Sequence, residues 1–167
     1  MLKEEARGRE LGQTLLHRLE RAEIERFAQA AETFLTQARE EARQRTFHCT
    51  NCGAQLQLPA QVLSALHLAC EYCRAINTFE PGTRARLVEH FCAHHLSQRA
   101  ALPQWEALQA AQRLRRSTRG ESAEVQRQVE AATRAWWQAY FTARAELVPM
   151  TRSQIELEVR ARLRGGW

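Results

Sequence analysis

Two cysteine pairs are the residues whose type and spacing point most directly to chemistry. Cys49 and Cys52 have two residues between them, Cys70 and Cys73 repeat that spacing, and residues 53–69 separate the pairs. A two-residue gap lets the chain turn so that both sulfurs face one ion, and two such turns supply four thiolates in a tetrahedron. The pattern therefore predicts a structural zinc site.

Two disulfides, or four buried thiols, are the alternatives to a metal site. The first ten residues are of mixed charge and show no signal-peptide pattern, so we expect a cytoplasmic location, where thiols stay reduced. We therefore favour one structural Zn²⁺ per chain, bound by Cys49, Cys52, Cys70 and Cys73. Four thiolates leave the ion no open position, so we expect it to support folding rather than catalysis.

The sequence around these cysteines resembles the zinc-ribbon superfamily, a class of zinc finger. The resemblance is carried by Phe47–Gly53 (FHCTNCG), by Cys70–Cys73 (CEYC) and by the alternating run Ile76–Phe79. It covers only residues 46–82, which we call the cysteine module, and it implies a small β structure folded around its metal. Such ribbons occur in transcription and translation factors, in enzymes and as docking modules, so the resemblance implies metal and fold more than task.

The two pairs differ in the residues that follow them. Gly53 comes directly after the first pair, where a tight turn often needs a residue without a Cβ. Arg74 and Ala75 follow the second pair, which departs from that pattern without removing a ligand.

Helical patterns surround the cysteine module. Residues 9–45 predict one long helix, whose apolar residues recur at spacings of three and four. These residues are Leu11, Leu15, Leu19, Ile24, Phe27, Ala31, Phe34 and Ala38. From Ile24 onward the seam alternates regularly, as in a coiled coil, and it fits either packing within the chain or contact with a second copy.

Further helices are predicted after the module. The second helix extends to about Arg99, and the third runs from Pro103 to near Gly120. The fourth covers residues 122–147, and the last begins with a capping box formed by Thr151 and Gln154. The expected fold class is mainly α, a helical bundle with a long N-terminal helix and an inserted small β zinc ribbon. The predicted divisions are residues 1–46, 47–82 and 83–167, with the first and last packing as one domain.

Composition is that of a folded, soluble protein. The 167 residues are 44% apolar and 26% charged, which argues against a disordered chain and against a polytopic membrane protein. Residues 46–70 carry no charge, but their glutamines, asparagine and proline make them too polar to span a bilayer.

The second predicted helix carries three histidines and the fifth cysteine. His90 and His94 lie four residues apart, the spacing of two metal ligands on one helical face, although no HExxH motif accompanies them. We interpret them as surface histidines beside a core stripe, with His95 half-buried, and a second metal site is the alternative. Cys92 is expected to be a small core residue rather than a nucleophile.

A cluster of arginines and a cluster of aromatic residues could each serve either structure or binding. Arginines crowd the end of the third predicted helix, where they complement the helix dipole or contact phosphates; they are Arg113, Arg115, Arg116 and Arg119. Aromatic residues crowd the fourth helix, where a core is expected and an aromatic binding surface is the alternative; they are Trp136, Trp137, Tyr140 and Phe141. Phe47, Tyr72 and Phe79 are expected to pack the core of the cysteine module.

These features favour a non-enzymatic protein-interaction module with structural zinc, such as an adaptor, scaffold or assembly component. Its partner would be another protein or a second copy, bound through helical surfaces. The net charge of +5 and the C-terminal arginines support an alternative, a nucleic-acid-associated factor. A metal-dependent hydrolase built on the histidine helix is a third hypothesis.

Overall fold

The computed structural model describes residues 2–58, 65–80, 82–83, 87–118 and 122–165. Its elements, in chain order, are α1 (Leu2–Gln44), β1 (Phe47–His48), β2 (Gln55–Leu56), β3 (Leu66–Ala69), β4 (Ile76–Phe79), a π-helical segment (Val88–Cys92) continuing into α2 (Ala93–Ala100), α3 (Leu102–Ser117), α4 (Ala123–Arg144) and α5 (Arg152–Arg164). The predicted mainly α fold, with a long N-terminal helix and a small β segment, is confirmed. None of the helices described is long and apolar enough to cross a membrane.

The chain divides into two compact units. One contains residues 1–29 and 95–167, and the other contains residues 30–94. Helix α1 runs through the division and contributes residues to both. The second unit therefore contains the cysteine module together with helical residues on either side of it.

Local sequence signals set the helix starts in the first unit. Pro103 lies in the first turn of α3, where its missing N–H costs no helical hydrogen bond. Thr151 forms the predicted capping box: its Oγ1 accepts from the amide of Gln154 at 3.2 Å, and its own amide donates to the Gln154 side chain at 2.7 Å. The predicted end of α3 near Gly120 lies outside the described residues.

The core of the first unit is aromatic. Helix α4 packs against α3 and α5, and its Trp137 ring lies 5.6 Å from that of Tyr140 and 5.7 Å from that of Phe141. The buried cluster consists of Ala101, Trp137, Tyr140, Phe141, Ile155 and Val159. The core interpretation of the aromatic residues is confirmed, and Trp136 packs half-buried against them.

The seam of α1 from Ile24 onward is packed inside the chain. In the first unit, Phe27 stacks on His95 with ring centroids 4.8 Å apart. In the second, Phe34 meets Phe91 edge to face at 6.2 Å, and the Cys92 thiol donates to the carbonyl of Ala31 at 3.3 Å. These contacts favour the intramolecular alternative for this seam.

The leucines nearer the N-terminus do not continue that seam. Leu15 and Ile24 are nine residues apart, which on a helix of 3.6 residues per turn places them on opposite faces. Leu11, Leu15, Leu16 and Leu19 are 57–63% exposed. The stated spacing of three and four residues therefore fails between Leu19 and Ile24, where the step is five residues.

The π-helical segment changes which residues of the second predicted helix are buried. A π turn contains more residues than an α turn, so each residue advances by a smaller angle. Val88 and Cys92 are buried, whereas Leu87, the residue just before this segment, is 48% exposed. Burial raises the pKa of the Cys92 thiol, which fits the predicted role of a small core residue.

Candidate metal centre

The four cysteines lie in the turns of two β-hairpins. Strand β1 pairs antiparallel with β2, and the turn between them has the sequence CTNCGA. Strand β3 pairs antiparallel with β4, from Leu66 opposite Phe79 to Ala69 opposite Ile76, and the turn between them is CEYCRA. Each hairpin thus presents one cysteine pair at its end.

The two turns have the same backbone hydrogen bonds. In the first, the amide of Cys49 donates to the carbonyl of Ala54 at 2.8 Å, and the amide of Gly53 donates to the carbonyl of Cys49 at 2.9 Å. In the second, the amide of Cys70 donates to the carbonyl of Ala75 at 2.9 Å, and the amide of Arg74 donates to the carbonyl of Cys70 at 2.8 Å. The same local fold is therefore built twice.

The repetition extends to the left-handed residue of each turn. Gly53 has φ +74° and Arg74 has φ +59°, and they are the residues with positive φ in the part of the chain the structure describes. A Cβ added at Gly53 would meet no atom within 4 Å, so glycine suits this position because of its backbone angle and not because space is short. Arg74 takes up the same conformation, and the sequence departure at the second pair does not change the turn.

The sulfurs converge across the two hairpins. The Cys49 and Cys73 sulfurs are 3.5 Å apart, the Cys52 and Cys70 sulfurs are 3.6 Å apart, and all four lie within 4.8 Å of one another. Bond lengths of about 2.3 Å in a tetrahedral zinc–thiolate site place neighbouring sulfurs about 3.8 Å apart. All four thiols are free of disulfide bonds, and the cluster can hold a metal ion.

Backbone amides and one side chain surround the sulfurs. Hydrogen bonds from the Cys52 amide, the Asn51 amide and the Asn77 side chain lower the pKa of Cys49 to about 6, although burial opposes them. The Ala75 amide is the main cause of the lowered pKa of Cys73. At these two positions the surroundings favour the thiolate, which is the form that binds metal.

Cys52 behaves differently. The amide of Ala54 lowers its pKa, but contact with the thiols of Cys73 and Cys70, together with burial, outweighs that amide and raises the pKa to about 12. Because metal binding must displace this proton, the affinity of the cluster for a metal falls as the pH is lowered.

Asn77 links the two hairpins beside the cluster. Its Oδ1 accepts from the amide of Thr50 at 2.9 Å and from the Thr50 hydroxyl at 3.0 Å. Its Nδ2 donates to the carbonyl of Ala75 at 3.0 Å and to the Cys49 sulfur at 3.5 Å. It is 2% exposed. Asn77 therefore orients the sulfur of Cys49, a candidate metal ligand, and holds the first turn against the second.

Sequence reasoning did not single out Asn77. The signal lay in the period of two along β4: because Phe79 faces inward, residue 77 must face inward as well. The structure follows this alternation, with Asn77 and Phe79 buried and Ile76 74% exposed. A polar residue at an inward position beside a ligand pair was the available clue.

The small core of the cysteine module contains two of its three expected aromatics. Phe47 and Phe79 meet edge to face, with ring centroids 5.4 Å apart. Tyr72, also expected in this core, is instead 80% exposed. It lies between Cys70 and Cys73, where the turn directs it away from the cluster.

The other candidate residues do not join a metal cluster. Among the described residues, the four cysteines form the group of metal-binding side chains that the structure brings together. His90 is exposed, and the half-buried His95 ring contacts Phe27 and Gln98.

The predicted basic cluster is partly described. Arg113, Arg115 and Arg116 are exposed along the end of α3, where the last two lie in its final turn. Arg119 lies outside the described residues. Their position fits the helix-dipole interpretation and leaves their guanidinium groups in solvent.

Comparison of the chain with protein-family models, with curated proteins and with solved structures gives no match. The case for a metal centre therefore rests on the geometry of the four cysteines.

Proposed function

We propose that this protein is a non-enzymatic protein-interaction module whose cysteine module is folded by one structural Zn²⁺. The observation that carries the proposal is the convergence of four thiols, all within 4.8 Å, from two turns with the same hydrogen bonds. Four sulfur ligands in a tetrahedral arrangement are typical of zinc or of iron. Cytoplasmic zinc ribbons, which the segment resembles, use this arrangement for structure.

The small size of the apolar core around the cysteines supports a structural role for the ion. The buried cluster around the site consists of Cys49, Leu56 and Cys70, with half-buried neighbours. Zinc binding contributes roughly 10–16 kcal/mol of apparent free energy in small zinc-binding peptides, which is enough to order a segment with so small a core. Four thiolates also leave no coordination position for a substrate.

Exposed apolar residues on the second hairpin support a role in protein contact. Tyr72 is 80% exposed in the turn, and Ile76 is 74% exposed at the start of β4. Tyrosine is among the residues enriched in protein interfaces, and the core of an interface is depleted of charged residues and more apolar than the rest of the surface. Residues 47–80 contain one lysine or arginine, Arg74. This surface therefore offers little positive charge for binding a phosphate backbone.

Elemental analysis of the purified protein tests the metal. We expect one zinc per chain in the natural protein and less than half an equivalent in Cys70→Ser. Cys92→Ser is the matched control, because Cys92 is buried away from the cluster and its removal should leave the zinc content unchanged. Bound iron, or a metal-free protein with two disulfides, would contradict the proposal.

The salt dependence of binding separates protein association from nucleic-acid binding. We expect no binding of a short DNA or RNA duplex at physiological salt. Affinity that falls steeply as salt rises, and that is lost when Arg113, Arg115 and Arg116 are changed together to alanine, would instead support the nucleic-acid alternative.

A broad hydrolase screen on zinc-loaded protein addresses catalysis. We expect no turnover of esters, peptides or phosphodiesters. Activity that disappears in the double variant His90→Ala with His94→Ala, while the zinc remains bound, would replace the interaction proposal with a catalytic one.

A further inference from the structure

The N-terminal half of α1 carries an exposed apolar surface. We call it the leucine face, and its members are Leu11, Leu15, Leu16 and Leu19, which are 63%, 58%, 62% and 57% exposed. Leu11, Leu15 and Leu19 follow one line along the helix, and Leu16 lies at its margin, about 100° from Leu15. Large exposed apolar patches mark interaction surfaces in soluble proteins.

The opposite face of the same helix segment is already packed. The ring of His17 stacks on that of Trp105 at 4.8 Å, and the ring of Phe27 stacks on that of His95 at the same distance. Arg21 pairs with Glu106 at 3.1 Å. At 100° per residue, Leu15 points about 160° away from His17, and Leu11 and Leu19 lie within about 40° of Leu15, so these three leucines are directed away from the His17 contact.

The backbone beside the leucine face is open to close approach. Gly8 and Gly12 lie within about 60° of Leu15 around the helix. A Cβ added at either glycine would meet nothing within 4 Å. A second helix can therefore lie along this face with leucine side chains from one helix beside glycine positions of the other.

The arrangement of the leucines is symmetric about Leu15. Leu11 and Leu19 are each four residues from it, one on either side. An antiparallel second copy of α1 with its twofold axis at Leu15 places Leu15 against Leu15, and Leu11 against Leu19 twice. A closed twofold contact of this kind uses one patch on both copies and covers Leu11, Leu15 and Leu19 of each.

Charge at the two ends of the face favours the antiparallel direction. Glu4 and Arg26 are each eleven residues from Leu15, both are exposed, and both lie within about 20° of it around the helix. Antiparallel pairing places Glu4 of each copy opposite Arg26 of the other. Parallel pairing would place glutamate against glutamate and arginine against arginine.

We propose that the leucine face is the surface through which two copies of this chain associate, as an antiparallel pair of α1 helices centred on Leu15. The pairing spans residues 4–26, about 35 Å of helix. This inference deepens the proposed function and rests on it, since it names the partner of an interaction module as a second copy. The surface lies within residues 1–29, apart from the cysteine module.

Sedimentation of the full, zinc-loaded chain over a wide range of concentration tests the proposal. We expect a dimer, and we expect Leu15→Glu to weaken it by at least about 100-fold, because two carboxylates would face each other in an apolar contact. Leu157→Glu is the matched control, because Leu157 on α5 is 62% exposed, as Leu16 is, and its substitution should leave the mass unchanged.

Charge reversal tests the direction of the pair. Arg26→Glu should weaken the dimer about 3- to 30-fold, since two opposite-charge contacts become like-charge contacts. Adding Glu4→Arg to that variant should restore most of the affinity. A dimer that tightens or does not change with Arg26→Glu, or that is not restored by the double reversal, would overturn the antiparallel register.

The outcomes separate this inference from the proposed function. A zinc-loaded wild-type chain that stays monomeric, or a dimer that Leu15→Glu does not weaken, overturns the leucine-face dimer and leaves the zinc site standing. A chain that dimerises through the leucine face without binding zinc overturns the proposed function and leaves the dimer standing. Helical circular dichroism equal to that of the wild type confirms that each variant is folded.

Discussion

Helices α3 to α5 and the cysteine module bury very different side chains. In the helices the core contains Trp137, Tyr140 and Phe141, three large aromatic residues in mutual contact. Among the described residues of the cysteine module, the buried apolar side chains are Cys49, Leu56, Cys70 and Phe79. The free energy gained from burial grows with apolar area, so the helices gain more from their own side chains than the module does. Under the proposed function, a metal ion bound by the four thiols supplies the remaining stability of the module.

A second difference separates the two turns within the module. They share their hydrogen bonds, yet the first has Gly53 and the second has Arg74 at the position with positive φ. Left-handed conformation costs a residue with a Cβ roughly 1–2 kcal/mol. The second turn therefore has a conformational cost at Arg74 that the first turn, with Gly53, does not have.

Chelation of the metal gives the largest expected effect on the first comparison. We expect removal of the metal to abolish the dispersed amide resonances of residues 46–82 while most of the helical circular dichroism remains, because the helices lie outside the module. Addition of zinc should restore the spectrum. Loss of all helical signal on chelation would show that the helices also depend on the ion.

Trp137→Ala is the converse experiment. Truncation of this 7% exposed ring should lower the free energy of unfolding of the helices by about 3–5 kcal/mol, while the zinc content stays at one per chain. Tyr72→Ala, an aromatic truncation at an 80% exposed position, is the control and should leave the unfolding midpoint unchanged. Urea unfolding followed by tryptophan fluorescence measures both; zinc lost together with Trp137 would argue against independent stabilisation.

Asn77→Leu should have a smaller effect, confined to the module. The substitution removes the hydrogen bonds to Thr50 and to the Cys49 sulfur, and loss of such a supporting contact typically weakens metal binding by about 10- to 100-fold. Competition with a chromophoric chelator measures the affinity. Thr78→Ala, which removes an exposed hydrogen bond with His67 but no contact with a cysteine, should leave the affinity unchanged. Equal weakening by both substitutions would show that the pairing of the strands matters and the amide does not.

The two turns should respond to exchange of their left-handed residues with opposite signs. We expect Gly53→Arg to weaken zinc binding by about five- to tenfold and Arg74→Gly to strengthen it by a few-fold, because only the second change relieves the cost of a Cβ at positive φ. The same chelator competition measures both. Changes of the same sign would mean that Arg74 makes a contribution beyond its backbone angle.

Residues that act through local rules were predictable from the sequence. The ligand spacing, the capping box at Thr151 and the first-turn position of Pro103 each depend on a few neighbouring residues, and the structure confirms the last two and brings the four ligands together. The aromatic core of α4 was also predictable, because its apolar residues recur at the helical period.

Residues whose environment depends on register were harder to predict. Leu87 is exposed because a π-helical segment shifts the face of its helix, and no residue type marks such a segment reliably. The spacing pattern groups Leu11, Leu15 and Leu19 with the apolar residues from Ile24 onward, but the five-residue step from Leu19 to Ile24 turns these leucines away from the packed seam. Tyr72 is expected in the core but is exposed, because the turn directs its side chain outward. Asn77, for which no prediction was made from the sequence, is buried because the period of the strand turns it inward.

Native mass spectrometry of the intact chain, prepared under reducing conditions, tests the central claim most directly. The account predicts one zinc ion per chain, which is retained in the folded protein. The ion should be released when acid protonates its four ligands, Cys49, Cys52, Cys70 and Cys73. A folded, metal-free chain, with its four thiols either free or joined in two disulfides, would contradict the claim that a zinc ion folds the cysteine module.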